Sequence, residues 1–400
     1  MRFALSLALV TLLAPTATDL YLASMPDIAR QLDVSYASVQ LTLTVFLLAQ
    51  GAGQVFFGPI IDRFGRRLPL LSGILVFTLA SIWAGSSDSF VSLLASRFIQ
   101  GLSGALLLVI GFSSVRDVAQ GAEAAKLFAV LLTIEGLAPI FAPIAGGYVD
   151  AHFGWRAALL VSAGMGAFAF ANSFFALPET LPVAERIPLR PAVIAKTYRR
   201  IATDGAFMLP TLALSGVFFY LFAYVAGGSY LYQTVFGLSP DEFGLVFGLT
   251  GGAVMLGAIT NGRMVRSCPV SVVAIRGVFL IMLGTTIGLA SSLSIGLYGI
   301  IGGFAVAMFG LGIAEPALVS LSMASQKTAL GFTAALMGSL HLVLSSLSTP
   351  ISGYLLPISK DYWFVFLLVA SAGTFVLAEL TRHRLRRDEQ TEETQLSPAD

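Results

Sequence analysis

Long apolar runs alternate with short polar segments along almost the whole chain. A helix rises about 1.5 Å per residue, so roughly twenty apolar residues cross about 30 Å of hydrocarbon. The runs are continuously apolar and lack the alternation of a membrane β-strand, so they predict helices and not a barrel. The predicted spans lie at 4–25, 39–61, 69–87, 91–115, 127–149, 155–177, 208–232, 243–262, 270–292, 296–323, 332–356 and 362–381.

Composition agrees with an integral membrane protein surrounded by lipid. Of the 400 residues, 56% are hydrophobic and 11% are charged, whereas a soluble domain averages about 25% charged residues. The net charge of +1 does not indicate a nucleic-acid partner. The single cysteine, Cys268, excludes an intramolecular disulfide and a multi-cysteine metal site. We therefore expect no metal, no cofactor and no nucleic acid.

Basic residues are concentrated in every second connecting segment. If both termini lie inside, the inner segments contain the basic clusters at 63–67, 196–200 and 382–387. The outer segments then contain only Arg30, Arg156 and Lys360. Because Lys and Arg accumulate on the cytoplasmic side of membrane proteins, both termini are predicted to be cytoplasmic.

A long polar connection divides the chain into two groups of six spans. It contains four prolines, which argue against one continuous helix, although a short amphipathic helix is predicted from about 192 to 201. The halves resemble each other: Gly58-x-x-x-Asp62-Arg63 follows the second span, and Gly257-x-x-x-Asn261-Gly262-Arg263 closes the eighth. This repeat indicates an internal duplication of the transporter type. The predicted units are an N-terminal half at 1–178, a cytoplasmic linker at 179–206, a C-terminal half at 207–387 and a disordered tail at 388–400.

Several motifs resemble one family. The segment GPIIDRFGRR at 58–67 resembles the loop motif of the major facilitator superfamily. RFIQG at 97–101 is similar to the fourth-helix motif of its proton-driven members, and APIFAPIAGG at 138–147 to the fifth-helix motif of its antiporters. TDLYL at 18–22 and LPETLP at 177–182 resemble the bicyclomycin/chloramphenicol-resistance drug exporters. The resemblance implies the all-helical fold of that superfamily, in two pseudo-symmetric halves, within a bacterial inner membrane.

The resemblance also implies moving parts. In the family, the loop aspartate caps a helix of the other half, and the arginine at the position of Arg66 pairs with the acid at that of Asp117. Carried over to Asp62, Arg66 and Asp117, these contacts form a cytoplasmic latch. The alternative is that the loop charges only fix orientation. The predicted gating residues are Gly58, Asp62, Arg63, Gly65, Arg66, Asp117, Pro139, Pro143, Gly146 and Gly147.

Charged residues inside the spans are the candidates for proton coupling, because each costs several kcal/mol unless it is paired or hydrated. Asp19 and Arg97 are predicted at comparable depth in the first and fourth spans, which allows them to pair. Alternatively, Arg97 bonds only backbone carbonyls around a discontinuous first helix. Glu135, Pro139 and Pro143 are spaced four residues apart, which predicts one face of the fifth span aimed at the other half. Glu135 departs from the family motif, and an ordinary interface carboxylate is its alternative.

In the second half, the corresponding candidates are Glu315 and His341. A histidine titrates near neutrality and suits a proton relay, although both residues have packing or interface roles as alternatives. A substrate cavity is expected at the midplane between the halves, with hydrogen-bonding groups in an apolar wall. Its candidate residues are Asp19, Tyr21, Phe46, Gln50, Gln54, Glu135, Tyr220, Tyr224, Tyr230 and Gln233, with aromatic packing as the alternative.

The sequence therefore predicts a monomeric, proton-coupled exporter of small, largely apolar drugs, amphenicol-like or multidrug, that works by alternating access. Its partners are a small-molecule substrate and protons. The chain contains no G-x-x-x-x-G-K-[ST] motif, so the drive is expected from a gradient and not from a nucleotide. One alternative is a proton-coupled exporter of a natural metabolite, such as an amino acid, nucleoside or siderophore. A non-transporting sensor is disfavoured because no soluble signalling domain remains, and a membrane enzyme because clustered carboxylates or histidines are absent.

Overall fold

The computed structural model describes residues 2–186, 188–294, 296–326 and 329–396, with side chains up to Arg387. Short 3-10 turns at Leu22–Ser24 and Val183–Glu185 and a π turn at Tyr230–Val235 complete a helical chain. Its helices are α1 (Arg2–Thr11), α2 (Leu13–Asp19), α3 (Met25–Gln31), α4 (Tyr36–Phe64), α5 (Arg67–Gly85), α6 (Phe90–Val118), α7 (Gly121–Phe153), α8 (Trp155–Ala176), α9 (Pro191–Ala202), α10 (Gly205–Ser229), α11 (Pro240–Met264), α12 (Val270–Leu293), α13 (Leu297–Ala324), α14 (Leu330–Ser346), α15 (Ser348–Ile358) and α16 (Lys360–Leu396).

Apart from the linker helix α9, these helices form twelve membrane spans when the bent pair at the start of the chain is counted as one, which confirms the predicted fold class. Within the described ranges, eleven spans are long and apolar enough by themselves, with α14 and α15 counted as one. The twelfth is the first span, a broken pair of helices, Arg2–Thr11 and Leu13–Gln31, bent by 40°. We call the side that carries the loop at 58–67 the inner side, following the charge distribution, and the opposite side the outer side.

Local chemistry sets where the spans begin and end. Ser35 and Ser89 accept hydrogen bonds from the backbone N–H groups three residues ahead, which caps the first turns of α4 and α6. Ser239 and Glu242 form a capping box at the start of α11. Gly65, with φ of 88°, ends α4 in a backbone conformation that side chains disfavour. The polar segments between the apolar runs therefore contain the residues that start and end the helices.

The linker and the tail differ in how well they match expectation. Helix α9 confirms the predicted amphipathic helix, and its Tyr198 hydroxyl donates to the carbonyl of Val55 at 3.0 Å. The tail, expected to be disordered from residue 388, instead continues α16 to Leu396. Extending an existing helix avoids the cost of nucleation, and Glu and Gln are good helix formers. Residues 397–400 lie outside the described part of the chain.

The two halves meet along two pairs of helices, α7 with α11 and α4 with α14 and α15. Glycines of α11 bring its backbone against the proline face of α7. A Cβ at Gly244 would lie 2.5 Å from the Pro143 carbonyl oxygen, and one at Gly251 would lie 2.4 Å from that of Pro139. Contact between backbones is how small residues hold membrane helices together. The proline face of α7 therefore points to the other half, as its spacing predicted.

We predict that Gly251→Ala destabilises the protein by about 1–3 kcal/mol, because the added methyl group overlaps backbone that cannot yield easily. The neighbouring Gly252 is a matched control, since a Cβ there would meet nothing within 4 Å. Gly252→Ala should leave the melting temperature of the purified protein unchanged or raised, because Ala favours helix by about 1 kcal/mol over Gly. Equal melting temperatures for the two variants would contradict this packing of α7 on α11.

Candidate functional site

The first span is irregular at two points, the bend at Leu12 and the end of α2 at Asp19. The bend at Leu12 precedes Pro15, whose ring lacks the N–H that a continuous helix needs. Helix α2 then ends at Asp19, and a 3-10 turn follows at Leu22–Ser24. Among the residues described, Asp19 accepts a hydrogen bond from the Thr18 hydroxyl at 3.3 Å and forms no ion pair. The break therefore presents an unpaired carboxyl group within the membrane.

Arg97 is completely buried beside this break but does not pair with Asp19. Its Nη1 donates to the Ala17 carbonyl at 3.1 Å and to Oε1 of Gln100. Its guanidinium carbon lies 4.3 Å and 4.4 Å from the ring centroids of Tyr21 and Phe46. The Ala17 carbonyl belongs to the last turn of α2, where helical partners are missing. The predicted ion pair is thus absent from this conformation, and Arg97 has the alternative role of satisfying a backbone carbonyl.

Two donors of Arg97, Nε and Nη2, have no hydrogen-bond partner among the described residues. An unpaired donor of a buried guanidinium is costly, and the aromatic faces of Tyr21 and Phe46 compensate it only in part. The geometry therefore leaves room at Arg97 for an acceptor that this conformation does not supply.

Two glycines of helix α7 contact different parts of the protein, Gly146 the first span and Gly147 the other half. A Cβ at Gly146 would lie 2.0 Å from the Leu20 carbonyl oxygen, so this glycine admits the broken first span. A Cβ at Gly147 would lie 2.2 Å from the Pro240 carbonyl oxygen in the other half. Glu135 is partly exposed, and its Oε1 is buried without a hydrogen-bond partner within the described ranges. Glu135 has Thr11 as a hydrogen-bonding neighbour but, like Asp19, no ion-pair partner among the described residues.

The candidates in the C-terminal half are also partly exposed within their spans. Glu315 accepts no hydrogen bond from any described residue. His341 donates from Nδ1 to the Met337 carbonyl at 3.0 Å, and its ring centroid lies 4.2 Å from that of Phe218. This bond fixes the proton on Nδ1 of the neutral ring and leaves Nε2 to accept another.

Four of the predicted substrate-binding residues lie inside the packed core of their own half. Tyr21 and Phe46 enclose Arg97, and neither has any exposed surface. Tyr220 is bonded to Thr285 at 2.7 Å, and Tyr224 is bonded to Thr250 at 3.1 Å. In this conformation all four are packing residues. Phe46 has no polar group, and each tyrosine hydroxyl is paired with a threonine of its own half, Thr42 in the case of Tyr21 at 3.1 Å.

Four more of the ten candidates lie between the halves, but at two different depths. Gln50 and Gln54 are nearly buried on α4, where Oε1 of Gln54 would touch a Cβ added at Gly338 of α14. Tyr230 and Gln233 lie farther out and line a recess of about 740 Å³. This outer recess is formed by Pro26, Asp27, Ala29, Arg30, Tyr36, Asp150, Ala151, Tyr230, Gln233, Thr234, Leu238, Ser239 and Pro240.

Direct hydrogen bonds between the halves close the outer side. The Tyr36 hydroxyl and the Gln40 amide both donate to the Ala226 carbonyl, at 2.6 Å and 2.9 Å. The Gln233 amide donates to the Ala23 carbonyl at 2.8 Å. Farther inward, the hydroxyls of Thr44 and Thr349 lie 2.6 Å apart. These four bonds form what we call the outer gate, and the structure is closed to the outside.

On the inner side, the polar contacts of the predicted latch stay within the N-terminal half. Arg66 donates from Nε to Asp117 at 2.8 Å and from Nη1 to Asp62 at 2.8 Å. Thr180, at the start of the linker, also donates to Asp117, at 2.9 Å. Within the described ranges, Asp62 bonds only to Arg66, so the implied cap on a helix of the other half is not formed here. The pair of Arg66 with Asp117 is present.

Sequence reasoning missed Glu179, which organises this inner loop. Its carboxylate accepts the backbone N–H groups of Arg66 at 2.7 Å, Leu181 at 3.0 Å and Arg67 at 3.3 Å, and Arg186 lies at 3.6 Å. Partial burial would raise the pKa of Glu179, but these N–H groups and Arg186 outweigh burial and lower it. Glu179 thus caps the start of α5; the only sequence signal was its place in the LPETLP motif.

Comparison of the sequence with known proteins points to one family of membrane transporters. The family model described as Major Facilitator Superfamily matches residues 7–348. The chain is 31% identical to an uncharacterized MFS-type transporter, YdgK, of Bacillus subtilis over 96% of each chain. It is 35% identical to a bicyclomycin resistance protein homolog of Haemophilus influenzae over 66% of each. It is 26% identical to the multidrug resistance protein MdtL of Escherichia coli over 75% of this chain and 76% of that protein.

Solved structures share the fold at much lower identity. A POT family transporter, crystallised with a thioalcohol-conjugated peptide, superposes with a TM-score of 0.76 at 14% identity over 96% of each chain. The human organic anion transporter MFSD10 (TETRAN) gives a TM-score of 0.69 at 19% identity, over 94% of this chain and 99% of that one. These likenesses concern the fold alone.

We predict that Glu179→Gln lowers stability by at most about 1 kcal/mol at neutral pH, since the carboxylate is partly exposed and screened. Because the folded-state pKa of Glu179 is lowered, its contribution is present above the unfolded-state pKa of about 4.3 and is lost as pH falls through the lower folded value. Melting temperatures of wild type and variant should differ at pH 7 and converge below about pH 4.

Glu185→Gln, in the exposed 3-10 turn of the same linker, is the matched control and should have no effect at either pH. A pH-independent difference between wild type and Glu179→Gln would contradict the capping role of the charge.

Proposed function

The chain belongs to the major facilitator superfamily and is a multi-pass membrane transporter, and we propose that it exports small, largely apolar drugs in exchange for protons. The proposed location is the bacterial inner membrane, with both termini in the cytoplasm. The names of two relatives, a bicyclomycin resistance protein homolog and a multidrug resistance protein, support the substrate class. The unpaired carboxyl group beside a buried arginine supports the coupling ion.

The arrangement of Asp19 and Arg97 carries the proposal. Asp19 accepts one long hydrogen bond and has no cationic partner, although Arg97 contacts the carbonyl of Ala17 only two residues away. An ionised carboxylate at this depth would need a partner, so we infer that Asp19 carries a proton in this conformation. After it loses the proton, the free Nε and Nη2 of Arg97 supply the missing partner. The carboxyl group of Asp19 thereby alternates between binding a proton and pairing with Arg97.

The two sides of the protein provide the alternation of access. In the present conformation the outer gate holds Ala226 and Ala23 with side chains from the opposite half, and Asp62 is bonded inside its own half. In the outward-facing conformation we expect these carbonyls to be released and Asp62 to cap α14. Only one side of the protein is closed at a time, so the substrate and the proton exchange at the midplane with one side and then with the other.

Energetically, one proton suffices for a useful gradient. A charge moved through about 100 mV supplies about 2.3 kcal/mol, and each tenfold concentration ratio costs about 1.4 kcal/mol. One proton therefore sustains an outward gradient of roughly fortyfold, before any pH difference across the membrane is added.

We predict that Asp19→Asn abolishes pH-gradient-driven drug export in proteoliposomes and removes the proton release that accompanies drug addition to the purified protein. Asp88→Asn is the control, because Asp88 is an exposed outer residue paired with Arg156. Full gradient-driven transport by Asp19→Asn would overturn the coupling role of Asp19 and make Glu135→Gln the next variant. If chloramphenicol, bicyclomycin and cationic dyes all cause no proton release and no protection from toxicity, the drug-export proposal fails.

We predict that the double variant Tyr36→Phe with Gln40→Leu shifts the protein towards the outward-open conformation, since both donors to the Ala226 carbonyl are lost. Two hydrogen bonds at about 1 kcal/mol each correspond to a population shift of roughly thirtyfold. Spin labels at Ser86 and Tyr298, both exposed near the outer side, would report the change as a longer distance in a Cys268→Ser background.

Tyr354→Phe removes a hydroxyl from an exposed tyrosine of α15 and is the control for the loss of a phenol. An unchanged distance distribution in the double variant would show that these two bonds do not hold the outer gate.

A further inference from the structure

The outer recess lies directly outside the outer gate and shares Tyr36 and Gln233 with it, but it contains none of the residues proposed to carry the coupling proton. Its volume of about 740 Å³ falls within the range of ligand pockets, about 300–1,000 Å³. The recess has walls from both halves: α3, α4 and α7 contribute on one side, and the π turn and the start of α11 contribute on the other. It is thus a preformed cavity that faces the outside while the gate beneath it is closed.

Asp150 is the unusual residue of this recess. It is 5% exposed, near the outer end of α7. Its Oδ1 accepts a hydrogen bond from the Ser24 hydroxyl at 2.7 Å. Its Oδ2 is buried and has no hydrogen-bond partner among the described residues. A buried carboxylate oxygen without a donor is costly, so this wall of the recess lacks one hydrogen-bond donor.

The other charged groups of the recess do not supply that donor. Arg30 pairs with Asp27 on its own helix, and its side chain is 77% exposed. Asp241 and Glu242 add further negative charge at the start of α11, next to the lining residue Pro240. The recess therefore has an excess of acidic groups, which attracts cations from the outside.

An aromatic pair lies on the same recess. The rings of Tyr36 and Tyr230 have centroids 4.8 Å apart and planes inclined by 52°. The hydroxyl of Tyr36 is occupied by the Ala226 carbonyl, so its ring, and not its polar end, is available to a ligand. Aromatic rings beside a carboxylate are the combination that recognises ammonium groups.

We propose that the outer recess is a binding site for an organic ammonium ligand with an aromatic or apolar body. The ammonium group pairs with the carboxylate of Asp150, and the body lies against Tyr36 and Tyr230. The ligand enters from the outside and does not reach the midplane. This site goes beyond the proposed export and does not depend on it, because the recess exists in the closed conformation.

The test is equilibrium binding of dansylcadaverine, a fluorescent primary amine, to the full-length protein in nanodiscs at pH 7.5 without any gradient. N-acetyl-dansylcadaverine has the same body without the charge. We expect saturable binding of the amine, with affinity at least tenfold weaker for the acetylated probe. Asp150→Asn should weaken binding of the amine at least tenfold, and Asp88→Asn, an outer acid away from the recess, should leave it unchanged.

Tyr230→Leu tests the aromatic wall separately and should weaken binding several-fold, which keeps the proposal testable if Asp150→Asn does not fold. Equal affinity for the two probes, or full affinity in both Asp150→Asn and Tyr230→Leu, would overturn the site. So would an equal loss in Asp88→Asn, which would indicate adsorption to surface charge. Since no transport is measured, a failure of the drug-export proposal leaves this result interpretable.

Discussion

The structure depends on the requirement that backbone polar groups inside hydrocarbon find partners within the protein. The first span violates the continuity of a membrane helix between Leu12 and Ser24, which leaves carbonyls without helical partners. Arg97 satisfies one of them at Ala17, and Gly146 allows α7 to approach another at Leu20. Arg97 thus supplies a hydrogen-bond donor that the backbone of the first span lacks. Its charge then makes Asp19 chemically significant.

The polar contacts of the inner side join parts of one half, whereas those of the outer side join the two halves. On the inner side, Arg66, Asp117 and Glu179 bind the loop, the fourth span and the linker into one unit of the N-terminal half. On the outer side, the bonds run from one half to the other, and three of the four end on carbonyls near helix irregularities, at Ala23 and Ala226. Contacts within a half survive a rocking motion, whereas contacts between halves must break. The inner cluster is therefore suited to keep a half rigid, and the outer gate is suited to open.

The sequence predicted the elements better than their orientation. Apolar length and proline placement were sufficient for the spans, the linker helix and the face of α7 that meets α11, because each depends on local chemistry. The roles of Tyr220 and Tyr224 were not predictable, since a span that is apolar on all sides does not reveal which face meets Thr285, Thr250 or the cavity. Likewise, the similar depth of Asp19 and Arg97 did not fix their direction around the helix axes. Glu179 reaches Arg66 across 113 positions of sequence, which no local pattern indicates.

The balance of charge inside the spans connects this geometry to transport. Within the described part of the chain, Arg97 is the fully buried base, whereas Asp19, Glu135 and Glu315 are acids without an ion-pair partner. One arginine compensates one carboxylate at a time, and its unused donors face no acid in the closed conformation. Each remaining acid is then neutral or hydrated, because an isolated carboxylate is too costly at this depth. With the outer gate closed, these groups are shielded from external water and keep their protons until substrate or water from the inner side replaces them; with the gate open, they are hydrated and take up protons from outside. Proton occupancy and access are thus linked by solvation, whichever of the acids carries the coupling proton.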